Sequence, residues 1–215
     1  MQHPSSDTSI RDGPFEDTPH VLVRAFEKEE YARGFIGGAV RLGLLAHYRV
    51  AEDLRRDETE GTVRIVWRLQ NPVYCERSSM TNFYIVSTSH PEADRRVLTK
   101  RFGPHIVRIN DPTELLKRIE VAWQAHPLAS GRCVIAPVVC DKDTLLDPTS
   151  GLLPPHWYSF SQKPKSPFEV EREFRYVLTC TADALKLRAL IGEGSSLDDH
   201  LTLPLPDCSD ICSLT

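Results

Sequence analysis

Glu169, Glu171 and Glu173 stand two residues apart in the run Phe168-Glu169-Val170-Glu171-Arg172-Glu173-Phe174-Arg175-Tyr176-Val177-Leu178. In a β-strand this spacing points all three carboxylates to one face, with Val170, Arg172 and Phe174 on the other. Carboxylates so close repel one another and raise each other's pKa unless cations stand between them. Such a row suits the floor of a site for a cationic species, including a sugar that gains positive charge as its glycosidic bond breaks. A solvated edge strand with arginines beside the carboxylates accounts for the same pattern without chemistry.

Two further places carry polar groups on apolar runs. Arg24 follows Val21-Leu22-Val23; it is either a strand-end cation reaching solvent or a guanidinium fork for phosphate or carboxylate. Phe83-Tyr84-Ile85-Val86 gives way abruptly to Ser87-Thr88-Ser89. Hydroxyls there either bond the backbone of a turn or line a cleft, holding a ribose or orienting a carboxylate. Residues 48–61 mix both charge signs, and Arg49 with Asp53 and Glu52 with Arg56 are i,i+4 pairs, the pattern of a solvated helix face. Between 95 and 118, seven Lys and Arg outnumber two carboxylates. That stretch is either a face able to track a phosphate backbone or an ordinary solvated pair of helices.

These residues need elements to hold them. A chain of 215 residues with 40% apolar and 26% charged residues has enough material for a core and is neither collagen-like nor wholly disordered. No apolar run reaches membrane-span length, and the start lacks the basic-then-apolar plan of a signal peptide, so a cytoplasmic location is expected. The net charge of −4 is uneven: residues 1–18 carry −3, residues 193–215 carry −5, and the stretch between therefore carries +4. A mildly basic body between acidic ends is compatible with an anionic ligand. The six cysteines show no zinc-ligand spacing, and Cys133, Cys140 and Cys180 lie in apolar runs that suit reduced buried thiols.

Polarity and Pro/Gly/Ser content mark 1–18 as a flexible arm, 19–191 as one α+β domain and 192–215 as an acidic tail. Strands are expected at 20–24, 39–42, 62–68, 82–87, 105–109, 133–140 and 168–180, with Pro137 implying an edge or a bulge. Helices are expected at 27–35, 92–102, 111–126 and 181–190, with a helical start to 44–60 and a turn-rich loop at 143–155. Most strands are too close in sequence for βαβ crossovers, which favours a mainly antiparallel sheet. Neither a Gly-x-Gly-x-x-Gly nor a Gly-x-x-x-x-Gly-Lys-Ser/Thr motif is present, which argues against a Rossmann or P-loop nucleotide site.

Arg24 on the first strand, Ser87-Thr88-Ser89 on a middle strand and Glu171-x-Glu173 on a late one occur in a telling order. The series resembles the arginine, Ser-Thr-Ser and Glu-x-Glu pattern of the ADP-ribosyltransferase superfamily. The resemblance spans about residues 20–180, the limits of those elements. It implies a split antiparallel sheet that binds NAD as co-substrate without a Rossmann motif. Glu173 would then stabilise the sugar cation, Glu171 would orient or deprotonate the acceptor, and Ser87 would orient Glu173. Arg24, Ser87, Ser89, Tyr48 and Arg49 would bind NAD, with His20 a second candidate for the first-strand position. The stretch 35–49, the Lys163-Pro164 pair and Glu173-Phe174-Arg175 also look like a group of poorly characterised bacterial proteins, some found among toxin and phage-defence genes. That likeness implies a nucleic-acid or protein acceptor and a partner antitoxin. Two other classes stand beside this one. One is a non-enzymatic interaction module of a defence or toxin–antitoxin system. The other is a hydrolase with Glu52, Asp57, Glu60 and Glu173 around a divalent ion.

Overall fold

The apolar run near the start forms β1 (Leu22–Phe26) of a computed structural model that describes residues 19–45, 62–67, 73–78, 83–138, 140, 163, 168–180 and 201–215, with the backbone alone at 62–67, 73–78 and 132. Helix α1 (Glu29–Ile36) follows and gives way through Gly37 and Gly38 to β2 (Ala39–Leu44). Gly38 is required there: its φ is +93°, and a Cβ would lie 2.4 Å from the Leu205 carbonyl oxygen. Strands β3 (Thr62–Trp67) and β4 (Val73–Ser78) pair as a hairpin, and β5 (Phe83–Ser89) is the hydroxyl-ended strand.

Helix α2 (Arg95–Phe102) starts at Asp94, whose carboxylate accepts the Arg96 N–H at 2.8 Å. It stops at Gly103, where φ is +112° and a Cβ would meet the backbone of Phe26 and Glu27. After β6 (His105–Ile109), Asp111 caps α3 (Pro112–Gln124), accepting the Glu114 N–H at 2.8 Å, with Pro112 in the first turn. Strand β7 (Ala129–Pro137), a 3-10 turn (Glu169–Glu171), β8 (Glu173–Cys180), β9 (Leu201–Pro204) and β10 (Cys212–Leu214) complete the order.

Among the described residues every ladder is antiparallel, so the molecule is α+β with a mainly antiparallel sheet, as the strand spacing indicates. Eight strands form one sheet in the order β10-β6-β1-β5-β2-β9, with β8 also on β5 and β7 outside β8. Of the two alternatives that Pro137 implies, β7 shows the edge, pairing with β8 alone among the described residues; its register shift lies apart from Pro137, between Ala129 and Cys133.

Strand β5 is where the sheet forks. Along one side it pairs with β8 from Phe83↔Thr179 to Ser89↔Glu173. On the other side, β2 takes Tyr84 and Ile85 while β1 takes Ser89. Residues 86–88 have no ladder partner on that side among the described residues, so β1 and β2 diverge around them.

Helices α1 and α3 cover one face of the sheet. Leu22, Val40, Leu42, Tyr84, Val86, Val107, Ile109, Tyr176 and Leu178 pack there with Phe35, Leu115, Ile119 and Trp123. The buried indole N–H of Trp123 donates to the Thr179 carbonyl at 3.0 Å, and the Tyr176 hydroxyl to that of Pro112 at 3.2 Å, so neither polar atom is stranded. Phe83, Ile85 and Val177 face the other way, into a smaller cluster with Leu45 and Ala136. Strand alternation puts Ser87, Ser89, Glu173 and Arg175 on that second face.

Three expectations are corrected. Where an acidic tail is expected from 192, residues 201–215 instead supply β9 beside β2 and β10 beside β6. Where one strand is expected over 168–180, residues 169–171 form a 3-10 turn and the strand begins at Glu173. The three glutamates therefore do not share a pleated face: Arg172 takes a left-handed φ of 43°, and Glu169 is exposed while Glu171 and Glu173 are buried. Strand β4 went unrecognised in the sequence. Of the helical start expected at 44–60, Leu44 instead closes β2 and residues 46–60 lie outside the described residues, as do the expected arm at 1–18, the loop at 143–155 and the helix at 181–190.

Candidate functional site

The turn at Arg172 brings the two carboxylates together. Its N–H donates to the Glu169 carbonyl at 3.2 Å, its own carbonyl accepts the His90 N–H at 2.9 Å, and its guanidinium reaches Glu92 at 2.7 Å. These contacts hold a conformation that non-glycine residues rarely adopt. Glu171 and Glu173, which flank it, then meet one ammonium. Lys163 Nζ lies 2.6 Å from Glu173 Oε2 and 3.7 Å from Glu171 Oε2.

Two guanidiniums complete the cluster. Arg175 Nε donates to Glu173 Oε1 at 2.7 Å and Nη2 to Oε2 at 3.3 Å, while Arg101 from α2 pairs with Glu171. The Phe168 ring backs two of the cations, 4.5 Å from Lys163 Nζ and 5.8 Å from Arg101 Cζ. Glu173 and Arg175 are 4% and 1% exposed, so these charges persist only because they neutralise one another. Burial pushes the Glu173 carboxyl up, but Arg175 and Lys163 outweigh it and hold it at about 2. At Glu171 burial prevails, and the carboxyl lies above its ordinary range. The nearby Cys140 thiol is pushed up to about 11, by burial first and then by the Glu173 charge.

This cluster lines a cleft of about 1110 Å³ that opens where the sheet forks. Val23–Phe26 of β1, Arg41 and Gly43 of β2 and Ser87–Ser89 of β5 form its walls, and the end of α2 its rim. Arg24 crosses the fork: its Nη2 donates to the Arg41 carbonyl at 3.3 Å, with its guanidinium 5.1 Å from the Phe26 ring centre and 5.2 Å from that of Phe35. It is not a strand-end cation in solvent. Among the described residues, six cations (Arg24, Arg41, Lys100, Arg101, Lys163, Arg175) face four carboxylates (Glu27, Glu30, Glu171, Glu173) around the cleft, a formal excess of +2. Such a surface attracts an anionic ligand.

Arg24, Ser87, Ser89, Glu171 and Glu173, chosen from three separate stretches of sequence, thus line one cavity. Tyr48 and Arg49 lie outside the described residues. His20 is exposed, precedes β1 and does not line the cleft. The register sets Ser89, rather than Ser87, opposite Glu173, and the groups that hold Glu173 are Arg175 and Lys163. Thr88 instead bonds backbone, its hydroxyl donating to the Phe174 carbonyl at 3.0 Å.

Sequence reasoning missed Arg101, Lys163, Phe168 and Arg175 as members of the site. For Arg175 a signal existed, since it follows Glu173 at the spacing that shares a strand face. Arg101 and Lys163 reach the cluster from outside β8, and the sequence shows them only as part of the basic stretch 95–118 and of the Lys163-Pro164 pair, with nothing to tie either to the glutamates. Glu52, Asp57 and Glu60 lie outside the described residues, and among the described residues no His, Cys, Asp and Glu group is arranged to hold a metal. No described helix is long and apolar enough to cross a membrane. Compared with protein-family models, curated proteins and solved structures, the chain matches none of them.

Proposed function

We propose that the cleft at the fork binds NAD as co-substrate and that the protein is an NAD-dependent ADP-ribosyltransferase. One observation carries this reading: an arginine, a serine pair and two glutamates from three distant stretches line a single cavity. Its volume, about 1110 Å³, lies just above the usual span for small-molecule pockets, roughly 300–1,000 Å³, which suits an extended ligand. The excess of cations among the described lining residues suits a diphosphate, and Arg24 lines the same cleft. Ser87 and Ser89 offer hydroxyls to a ribose.

In the reaction the bond between the nicotinamide nitrogen and the ribose breaks, and its electron pair leaves with nicotinamide. Positive charge develops on the sugar, where the fixed negative charge of Glu173 favours it. A nucleophile of the acceptor forms the new bond at the same carbon and loses its proton, with Glu171 as the nearest base. Lys163 and Arg175 keep Glu173 ionised for this role. The test is incubation of the pure protein with NAD and measurement of released nicotinamide, alone and with cell extract or nucleic acid. Release above the spontaneous rate supports the reading, and its absence under all three conditions overturns it.

The burial and cation pairing of both carboxylates favour a second reading. A structural ion cluster beneath an anion-binding cleft is what a non-enzymatic module of a defence or toxin–antitoxin system would need. That reading expects no nicotinamide release and no thermal shift with NAD.

A further inference from the structure

Four of the nine exposed cations among the described residues pair with a carboxylate. Lys28 pairs with Glu30 at 3.7 Å, Arg33 with Glu29 at 2.6 Å, Lys117 with Glu114 at 3.6 Å and Arg172 with Glu92 at 2.7 Å. Helix α2 departs from this pattern. Its eight residues include Arg95, Arg96, Lys100 and Arg101 and no acidic residue. Arg101 serves the buried cluster, but Arg95, Arg96 and Lys100 are exposed and none has a carboxylate within 4 Å among the described residues. The nearest acids in sequence are engaged elsewhere, Asp94 capping the helix and Glu92 holding Arg172.

The charge extends beyond the helix. Arg95 donates to the Thr215 carbonyl at 3.4 Å, at the end of the strand that pairs Ser213 with Arg108, and exposed Arg108 bonds Asn110 rather than an acid. At the other end of α2, Lys100 lines the cleft. An unneutralised basic surface thus leads to the cavity in a protein whose net charge is −4.

We infer that Arg95, Arg96, Lys100 and Arg108 form the docking surface for a single-stranded nucleic acid, one base of which enters the cleft as acceptor. The docking stands on charge complementarity to a phosphate backbone; the acceptor role rests on the transferase reading. A single strand is specified because the carboxylates lie at the floor of a concave site, which a base stacked and paired in a duplex does not reach.

Fluorescence anisotropy with a 20-nucleotide single-stranded DNA and the full chain, from low to moderate salt, tests this. Four phosphate contacts give log K against log salt a slope of about −3 for a single strand. The triple variant Arg95→Gln, Arg96→Gln, Arg108→Gln weakens binding by about tenfold or more near 0.1 M salt and makes the slope shallower by about 2. Its circular dichroism melt and its nicotinamide release without nucleic acid stay at wild-type values. Wild-type affinity in the triple variant, salt-insensitive binding, or tighter binding of polyglutamate than of DNA would overturn the docking surface. Nicotinamide release without DNA binding sinks this inference alone, whereas DNA binding with the expected slope but no release sinks the transferase reading and leaves the docking surface.

Discussion

Ser89 of β5 and Glu173 of β8 are direct cross-strand partners, and one step along the same face Ser87 sits opposite Arg175. A row of hydroxyls and a row of charges therefore run side by side at the fork, where no further strand covers residues 86–88 of β5 on the other flank among the described residues. Ligand groups entering the cleft meet both rows at once. The transferase reading, and the stability of the cluster beneath it, depend on how each charge in that row behaves when altered.

Glu173→Gln keeps the side-chain shape and removes the charge. On the proposed mechanism it lowers nicotinamide release by about 100-fold or more, the scale of losing one electrostatic stabiliser of a transition state, and changes the KM for NAD only a few-fold. Glu171→Gln retains hydrolysis of NAD and loses transfer to the acceptor. Equal release by wild type and Glu173→Gln removes Glu173 from the chemistry.

Arg175 is 1% exposed and its guanidinium holds both oxygens of Glu173. Arg175→Met fills the space but leaves a buried carboxylate short of a partner, at a cost of about 3–5 kcal/mol. Denaturant unfolding measures this. Arg175→Met combined with Glu173→Leu should recover much of the loss, because the uncompensated charge goes with its partner; no recovery would assign the loss to packing.

Acid stability follows from Glu173. Its folded carboxyl lies near 2 against an ordinary 4.5, so its contribution is complete above about pH 5 and is lost as pH falls from 4.5 towards 2. Glu171 works in the opposite sense. Its raised folded value contributes at low pH, and that contribution fades as pH rises through it. Unfolding free energy followed from pH 5 to pH 3 should fall less steeply in Glu173→Gln than in wild type. Parallel curves would mean that the acid sensitivity arises elsewhere.

Gly38→Ala tests the join between α1 and the outer strands. The added methyl group would lie 2.4 Å from the Leu205 carbonyl and 2.7 Å from that of Pro206, at a φ of +93° that alanine resists. A loss of at least about 2 kcal/mol is expected, since both the strain and the backbone clash must be relieved. Because Leu205 N–H donates to the Gly38 carbonyl at 2.8 Å, hydrogen exchange in β9 should speed up in the variant.

Local rules made the inner fold legible. Asp111-Pro112 announces α3 through its cap, the period of Leu115, Ile119 and Trp123 marks its buried stripe, and Pro137 marks an edge strand. Arg24, Ser87-Thr88-Ser89, Glu171 and Glu173 stand out in the sequence as polar groups on apolar or strand-like runs, and they line one cavity. What failed to show depends on distant partners. Strands β9 and β10 are four and three residues long, too short for a period, and exist because β2 and β6 offer them backbone. The glutamate row was misread because Arg172 turns left-handed under contacts from His90 and Glu92, some 80 residues away.

The pairing of β2 with β9 joins positions 39–42 to 201–204, a separation of roughly 160 residues, and such distant contacts repay their closure entropy only late. Folding should therefore proceed from the middle outwards, with the β5–β8–β7 region in place before either flank is sealed. Until residues 201–215 dock, β2 and β6 present bare backbone to their surroundings. Slow refolding and a tendency to associate during that interval are built into the strand order itself.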